Sequence, residues 1–311
     1  MKIYQGIHSL IGHTPLFEIT RIPLPEKVRV FAKLEYFNPG GSVKDRLGQA
    51  LLREAIENGH ISPAGTLIEP TAGNTGIALA LATIGTDVNV IFVVPKKFSR
   101  EKQTLMRSLG ATVVNTPTEQ GMKGAIEKTI ELLAEIPDSY SPSQFANRAN
   151  PETYYQTLGP EIFHELDGKI DVFVAGAGTG GTFMGTATYL KEQLPSVKTV
   201  IAEPEGSILN GGKAGPHRTE GIGMEFLPEY MDRSYFDAIH TISDEEAFAR
   251  VHQLTKTEGL LVGSSSGAAF AAALKEAEQA KEGVTTHIVT VFPDSSERYL
   301  STGIYERTEA K

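Results

Sequence analysis

Strand-like and helix-like segments alternate along almost the whole chain, and strands separated by helices pair in parallel through helical crossovers. Strand patterns fall at residues 28–34, 66–70, 88–94, 112–115, 170–175, 199–203 and 287–292. Helical periodicity follows most of them. Leu47, Leu51, Ala55 and Ile56 share one apolar face, and further helices are expected at 75–83, 99–109 and 122–136, the last stopped by Pro137. Pro151 opens another behind the capping residue Asn150, one ends at Leu194, Ser243-Asp244-Glu245-Glu246 caps one running to Glu258, and an Ala-rich helix follows Gly263-Ser264-Ser265-Ser266-Gly267. The expected fold is α/β, with mostly parallel twisted sheets flanked by helices. Residues 204–237 form a glycine-rich loop without a period.

At 311 residues and 40% hydrophobic content the chain has material for two medium domains. The polar stretch 138–150 is the expected crossing, which puts the units at 1–147 and 148–311. The first ~35 residues are open to joining the second unit. A net charge of −9, from 29 Lys and Arg against 38 Asp and Glu, supplies no basic stripe for nucleic acid or an anionic membrane, so small molecules are the expected partners. No run reaches membrane-spanning length and the N-terminus has no apolar signal core, which reads as cytoplasmic. Without cysteine there is no disulfide, thiolate metal site or cysteine nucleophile, and no His pair has metal-ligand helical spacing, so no metal is expected.

Four turns stand at strand-to-helix junctions. In Asn38-Pro39-Gly40-Gly41-Ser42-Val43-Lys44-Asp45-Arg46, Lys44 ends a tight turn and starts a helix, with Ser42 as the expected N-cap. A helix N-terminus disfavours positive charge and a pocket desolvates it, so the amine could be held partly neutral, as Schiff-base chemistry requires. Taken alone, this stretch reads more simply as a solvated lysine in the first turn of an ordinary helix. Thr71-Ala72-Gly73-Asn74-Thr75-Gly76 offers backbone N–H groups and two side-chain donors to an anion, or serves only as a cap. Gly178-Thr179-Gly180-Gly181-Thr182 could cradle a phosphate at a helix start, and Ser264, Ser265 and Ser266 supply hydroxyls at another.

The 176–181 stretch also satisfies G-x-G-x-x-G, with Glu203 near the place of a ribose-binding acid, so a nicotinamide dehydrogenase fits that pattern. That reading leaves the other turns unexplained. A lysine, a phosphate loop, an anion-binding turn and a hydroxyl-rich turn, expected to converge in one crevice, instead suggest pyridoxal phosphate.

Together with Ile11-Gly12-His13-Thr14-Pro15-Leu16 and Glu297-Arg298-Tyr299-Leu300-Ser301, these motifs closely resemble, in order and over essentially the whole chain, the cysteine synthase and cystathionine β-synthase family. The resemblance implies the two-domain tryptophan-synthase-β-like architecture (fold type II of the pyridoxal-phosphate enzymes) and a homodimer. It implies that Lys44 binds the cofactor covalently and acts as general base, and that Asn74 meets its phenolic oxygen. Gly178, Thr179, Gly180, Gly181 and Thr182 would hold its phosphate, and Ser265 its pyridine nitrogen. Thr71, Ala72, Asn74 and Thr75, helped by Gln144, would take the substrate carboxylate.

Departures from the family pattern bear on the substrate. Ala72 stands where a serine is commoner, and Gly221-Ile222-Gly223-Met224-Glu225-Phe226 and Pro293-Asp294-Ser295 lie nearer the cystathionine β-synthase versions. Glu225 could pair with the ammonium of an amino-acid thiol such as homocysteine, or be an ordinary solvated glutamate. The resemblance is to a compact form, without the haem-binding and C-terminal regulatory segments of the animal enzymes. The expected reaction is β-replacement on O-acetylserine with homocysteine, giving cystathionine and acetate; the alternative acceptor is sulfide, as in cysteine synthase.

Overall fold

The structure is a computed structural model that describes residues 3–306. Along the chain run β1 (Leu16–Ile19), β2 (Val28–Leu34), α1 (Lys44–Glu57), β3 (Thr66–Pro70), α2 (Asn74–Ala82), β4 (Asn89–Pro95), α3 (Arg100–Ser108), β5 (Thr112–Thr116) and α4 (Gly121–Glu135). They are followed by β6 (Ser139–Tyr140), α5 (Ala149–Gln156), α6 (Leu158–Glu165), β7 (Val172–Gly176), α7 (Gly181–Gln193), β8 (Lys198–Pro204), β9 (Ala238–Ile242), α8 (Asp244–Glu258), α9 (Ser264–Glu278) and β10 (Thr286–Phe292). Among the described residues two compact units result, one from 3–11 and 38–150, the other from 12–37 and 151–306.

The first unit is a four-stranded sheet in the order β5-β4-β3-β6, parallel throughout. Ile68, Val93 and Ala125 form its core beneath α4. Residues 138–150, expected as a polar crossing, supply β6 to the sheet edge, and the division between the units falls after Asn150. Asp138 anchors that segment by accepting from the Ser62 N–H (2.9 Å) and hydroxyl (2.5 Å). The α5 start also differs from expectation: the Ala149 N–H donates to Asn147 Oδ1 (2.9 Å), while Asn150 is fully buried and donates to the Gln144 carbonyl (2.7 Å). Asn147 therefore does the capping that the position before Pro151 suggested for Asn150.

In this unit a Cβ on Gly48 would overlap the Ala78 carbonyl, so α1 and α2 touch backbone to backbone. Gly48 lies one turn beyond Lys44 and Ala78 one turn beyond Asn74, which sets the first turns of the two helices side by side. Gly48→Ala would gain about 1 kcal/mol of helix propensity. Overpacking of this rigid contact costs about 1–3 kcal/mol and more where backbone must move. We expect net destabilisation, read as a lower midpoint of urea unfolding; an unchanged or higher midpoint would show that the helices can part without cost.

The second unit is a six-stranded sheet in the order β1-β2-β10-β7-β8-β9, parallel except for the antiparallel edge strand β1. Its central strands read Val-Phe-Val-Ala-Gly and Thr-His-Ile-Val-Thr-Val-Phe and are buried along most of their length, as parallel strands covered on both faces must be. α9 is buried nearly all round; its small residues allow this, and Gly267 sits against the Ala247 carbonyl of α8. Lys33, with no exposed surface, donates to the Thr14 carbonyl (2.6 Å) and the Glu165 carboxylate (2.7 and 2.8 Å), with Glu161 at 3.1 Å. A buried ammonium needs such pairing, and here it ties the end of β2 to α6.

Candidate active site

In the first unit, Gly40 and Gly41 make the turn that presents Lys44. Gly41 has a φ of 77° and its N–H donates to the Asn38 carbonyl (2.8 Å). The Gly40 N–H donates to the buried Asp45 carboxylate (2.5 Å), and a Cβ on Gly40 would lie within 2.5 Å of the same group. Val43, not Ser42, holds the cap position and its conformation is already helical. The Ser42 hydroxyl still accepts from the Lys44 N–H (3.3 Å), so the expected cap acts one residue early. Lys44 is half-buried, and burial lowers its amine from 10.5 to about 8. A lysine near 8 is neutral in a substantial fraction at physiological pH, which the solvated reading does not provide.

Thr71, Ala72, Gly73 and Asn74 connect the C-terminal end of β3 to α2, whose first residue is Asn74. Thr75 is buried and its hydroxyl donates to Gln144 Oε1 (2.8 Å), joining two residues 69 positions apart. Glu69 makes that meeting possible. Its carboxylate, 2% exposed, accepts from the Ser141 hydroxyl (3.0 Å) and the Ser143 and Gln144 N–H groups (3.1 and 3.4 Å), fixing the segment that carries Gln144. Burial pushes the Glu69 carboxyl up and these donors oppose the shift. The first unit thus gathers Lys44, Thr71, Ala72, Asn74, Thr75 and Gln144 around the first turns of α1 and α2. Glu69 was not singled out by sequence, since nothing local distinguishes it from a solvated glutamate.

In the second unit the turn from β7 into α7 is packed too tightly for side chains. A Cβ on Gly178 would overlap the Gly221 carbonyl oxygen, and one on Gly176 would lie 2.6 Å from Ile222. Gly180 is left-handed, with a φ of 84°. The Gly223 N–H donates to the Ala177 carbonyl (2.9 Å), and the Tyr230 hydroxyl to that of Thr179 (2.8 Å). Residues 218–224 are clamped on every side. Asp244 accepts from the Arg218 and Thr219 N–H groups (2.6 and 2.8 Å), Ser264 from the Glu220 N–H (3.0 Å) and Ser207 from the Met224 N–H (3.0 Å).

This strap carries the 178–182 turn against the start of α9. Ser264, Ser265 and Ser266 occupy the first turn of that helix, and Ser265 is 3% exposed. A Cβ on Gly221 would stand 4.0 Å from the Ser265 hydroxyl. Gly178, Thr179, Gly180, Gly181, Thr182 and Ser265 therefore form one group, while Glu225 is exposed just beyond the strap. Sequence reasoning used the 221–226 stretch only for substrate choice. Its φ values of 86° at Gly221 and 104° at Gly223 mark the second role, a backbone that must lie flat on another.

Glu203 is fully buried, and its carboxylate accepts from the Leu209 and Asn210 N–H groups (3.0 and 2.9 Å) and the Thr241 hydroxyl (3.2 Å). It holds the start of the 204–237 loop, and with no exposed surface and three protein donors on it, it faces the loop rather than a ribose. The G-x-G-x-x-G match thus loses its acidic partner.

Each unit fits one part of pyridoxal phosphate. The first offers an amine near 8 for the aldehyde. The second offers a turn where only hydrogen fits beside the backbone, at the N-terminus of α7, and a buried hydroxyl at the N-terminus of α9. Residues 7–294 match the family described as pyridoxal-phosphate dependent enzyme. The chain is 58% identical over 306 residues to O-acetylserine dependent cystathionine beta-synthase of Bacillus subtilis (strain 168), covering 98% of this chain and 99% of that one. It is 57% identical over 305 residues to a cysteine synthase of Helicobacter pylori (strain J99), covering 97% and 99%. The crystal structure of O-acetylserine dependent cystathionine beta-synthase from Helicobacter pylori superposes with a TM-score of 0.93 at 56% identity, covering 98% of this chain and 100% of that one. Sequence, fold type II architecture and site chemistry agree, and the chain belongs to the pyridoxal-phosphate dependent enzyme family.

Proposed function

We propose that this enzyme replaces the β-acetoxy group of O-acetylserine with the thiol of homocysteine, giving cystathionine and acetate. The observation that carries the β-replacement chemistry is the Lys44 amine held near 8 by burial. Bound pyridoxal phosphate withdraws electrons from the α-carbon of an amino acid, acidifying the α-proton and easing loss of the β-substituent. Lys44 Nζ, once free of the cofactor, takes that proton as general base and returns it at the end. Thr71, Ala72, Asn74 and Thr75 bind the substrate carboxylate with the N–H groups at the start of α2, and Gln144 orients Thr75. Because Ala72 lacks a hydroxyl, backbone donors carry more of that task. Gly178, Thr179, Gly180, Gly181 and Thr182 bind the cofactor phosphate, and Ser265 meets its ring nitrogen. A neutral hydroxyl there, unlike a carboxylate, does not hold the ring protonated, which suits elimination and addition better than transamination.

The choice of homocysteine over sulfide rests on Glu225, exposed beside the clamped strap and able to reach an ammonium that sulfide lacks. Because such a pair is open to solvent, Glu225→Ala should lower kcat/KM for homocysteine by roughly three- to tenfold. The sulfide reaction should be nearly unchanged. Equal losses with both acceptors would remove Glu225 from acceptor choice, and a wild-type preference for sulfide would make the enzyme a cysteine synthase, as the Helicobacter relative is named. We also read the protein as a homodimer, on the family resemblance, and as cytoplasmic, on its sequence. No helix among the described residues is long and apolar enough to cross a membrane. Light scattering of the purified protein measures the assembly.

A further inference from the structure

The segment after β10 folds back over the entry to α9. Val262 and Ser295 form an antiparallel bridge, the Gly263 N–H donates to the Asp294 carbonyl (3.0 Å) and the Ser296 N–H to the Leu261 carbonyl (3.2 Å). Side chains close the same contact. A Cβ on Gly263 would overlap the Asp294 carboxylate and lie 2.9 Å from the Tyr299 ring. The Tyr299 hydroxyl donates to Asp294 Oδ2. Asp294 is 2% exposed and Tyr299 3%. Burial, reinforced by the Asp294 charge, pushes the Tyr299 phenol well above its ordinary range, so it remains a donor throughout the working pH range. A buried carboxylate is costly unless paired, and this one has the Tyr299 proton and lies beside a helix N-terminus.

Ser264 is already held from the other side by the Glu220 N–H (3.0 Å). Gly263 is the cap residue of α9, and its backbone is what Asp294 and Tyr299 grip. We propose that Asp294 and Tyr299 are a positioning pair which, through Gly263, sets where Ser265 stands and so how its hydroxyl meets the ring nitrogen of bound pyridoxal phosphate. This rests on the assignment of Ser265 above.

The test uses full-length wild type, Tyr299→Phe, Asp294→Asn, Asp294→Ala and Ser265→Ala. Cofactor affinity is measured by titration, the position and pH dependence of the cofactor's visible band by absorbance, and stability by thermal unfolding of the cofactor-free protein. Tyr299→Phe deletes one hydroxyl bonded to a charged group and should weaken cofactor binding about tenfold. It should also shift the band in the same sense as Ser265→Ala while leaving the melting temperature of the cofactor-free protein close to wild type. Asp294→Asn keeps an acceptor for Tyr299 and should lose less affinity than Asp294→Ala. If Ser265→Ala changes affinity and band while Tyr299→Phe changes neither, the positioning role is overturned and the assignment of Ser265 stands. If Ser265→Ala changes neither, that assignment fails and the positioning role with it. A fall in melting temperature with an unshifted band in Tyr299→Phe would reduce the pair to a structural contact and also overturn the proposal.

Discussion

Lys44→Ala should remove the visible absorption of covalently held cofactor and lower turnover by about a thousandfold or more, since general-base catalysis alone contributes ~10²–10⁴. Lys44→Arg should not rescue it, because a guanidinium stays charged and cannot attack a carbonyl. Borohydride reduction followed by peptide mapping should place the label on Lys44 in the wild type. The amine value supplies a further measurable consequence. Only the neutral form attacks the aldehyde, so the rate at which cofactor-free protein takes up pyridoxal phosphate should rise with pH and level off above about 8, instead of climbing towards the ordinary lysine value of 10.5. A label on another lysine, or an uptake rate still rising steeply beyond pH 9 or so, would remove Lys44 from its role.

Gly178→Ala is the second large effect. Its Cβ would overlap a backbone oxygen of Gly221, and the Gly221 strap cannot withdraw easily, being bonded to Ala177, Ser207, Asp244 and Ser264. Overpacking against backbone costs about 1–3 kcal/mol, and the turn proposed to receive the phosphate takes the displacement directly. We expect cofactor affinity to fall about a hundredfold, measured by retention on dialysis and by titration. Gly73→Ala is the control, at a site with a φ of −120° and nothing within 4 Å of the added carbon. It should leave both stability and cofactor affinity near wild type. Equal tolerance at both positions would mean that the turn and the strap are not rigidly joined.

Much of the fold was legible because its information is local. The runs that became β2 and β3 carry strand composition in the chain itself, and Ser243 accepts from the Glu246 N–H (3.2 Å) as its place before three acidic residues suggests. Lys44 was legible as a lysine at a glycine turn, but not as an amine near 8, because burial is supplied by residues distant in sequence. Three of the four edge strands were missed for the same reason. β1 is four residues of partly buried chain, β6 is two residues in a polar stretch, and β9 follows a loop without period; each exists by pairing with a neighbour already in place.

Glu203 shows the distinction most sharply. Its position after a strand made it a plausible ribose ligand, and three donors from residues 209, 210 and 241 made it an anchor. Residue order alone determined the α/β class, the parallel pairing and where the glycine-rich strand-to-helix turns stand, because hydrophobic period, glycine and capping residues act within a few positions of themselves. Tertiary structure decided that Thr75 meets Gln144, that residues 218–224 lie against the 178–182 turn and that Asp294 and Tyr299 close on Gly263. Those outcomes depend on burial and hydrogen bonds between segments far apart in the chain, and no local pattern encodes which distant partner a buried polar group will find.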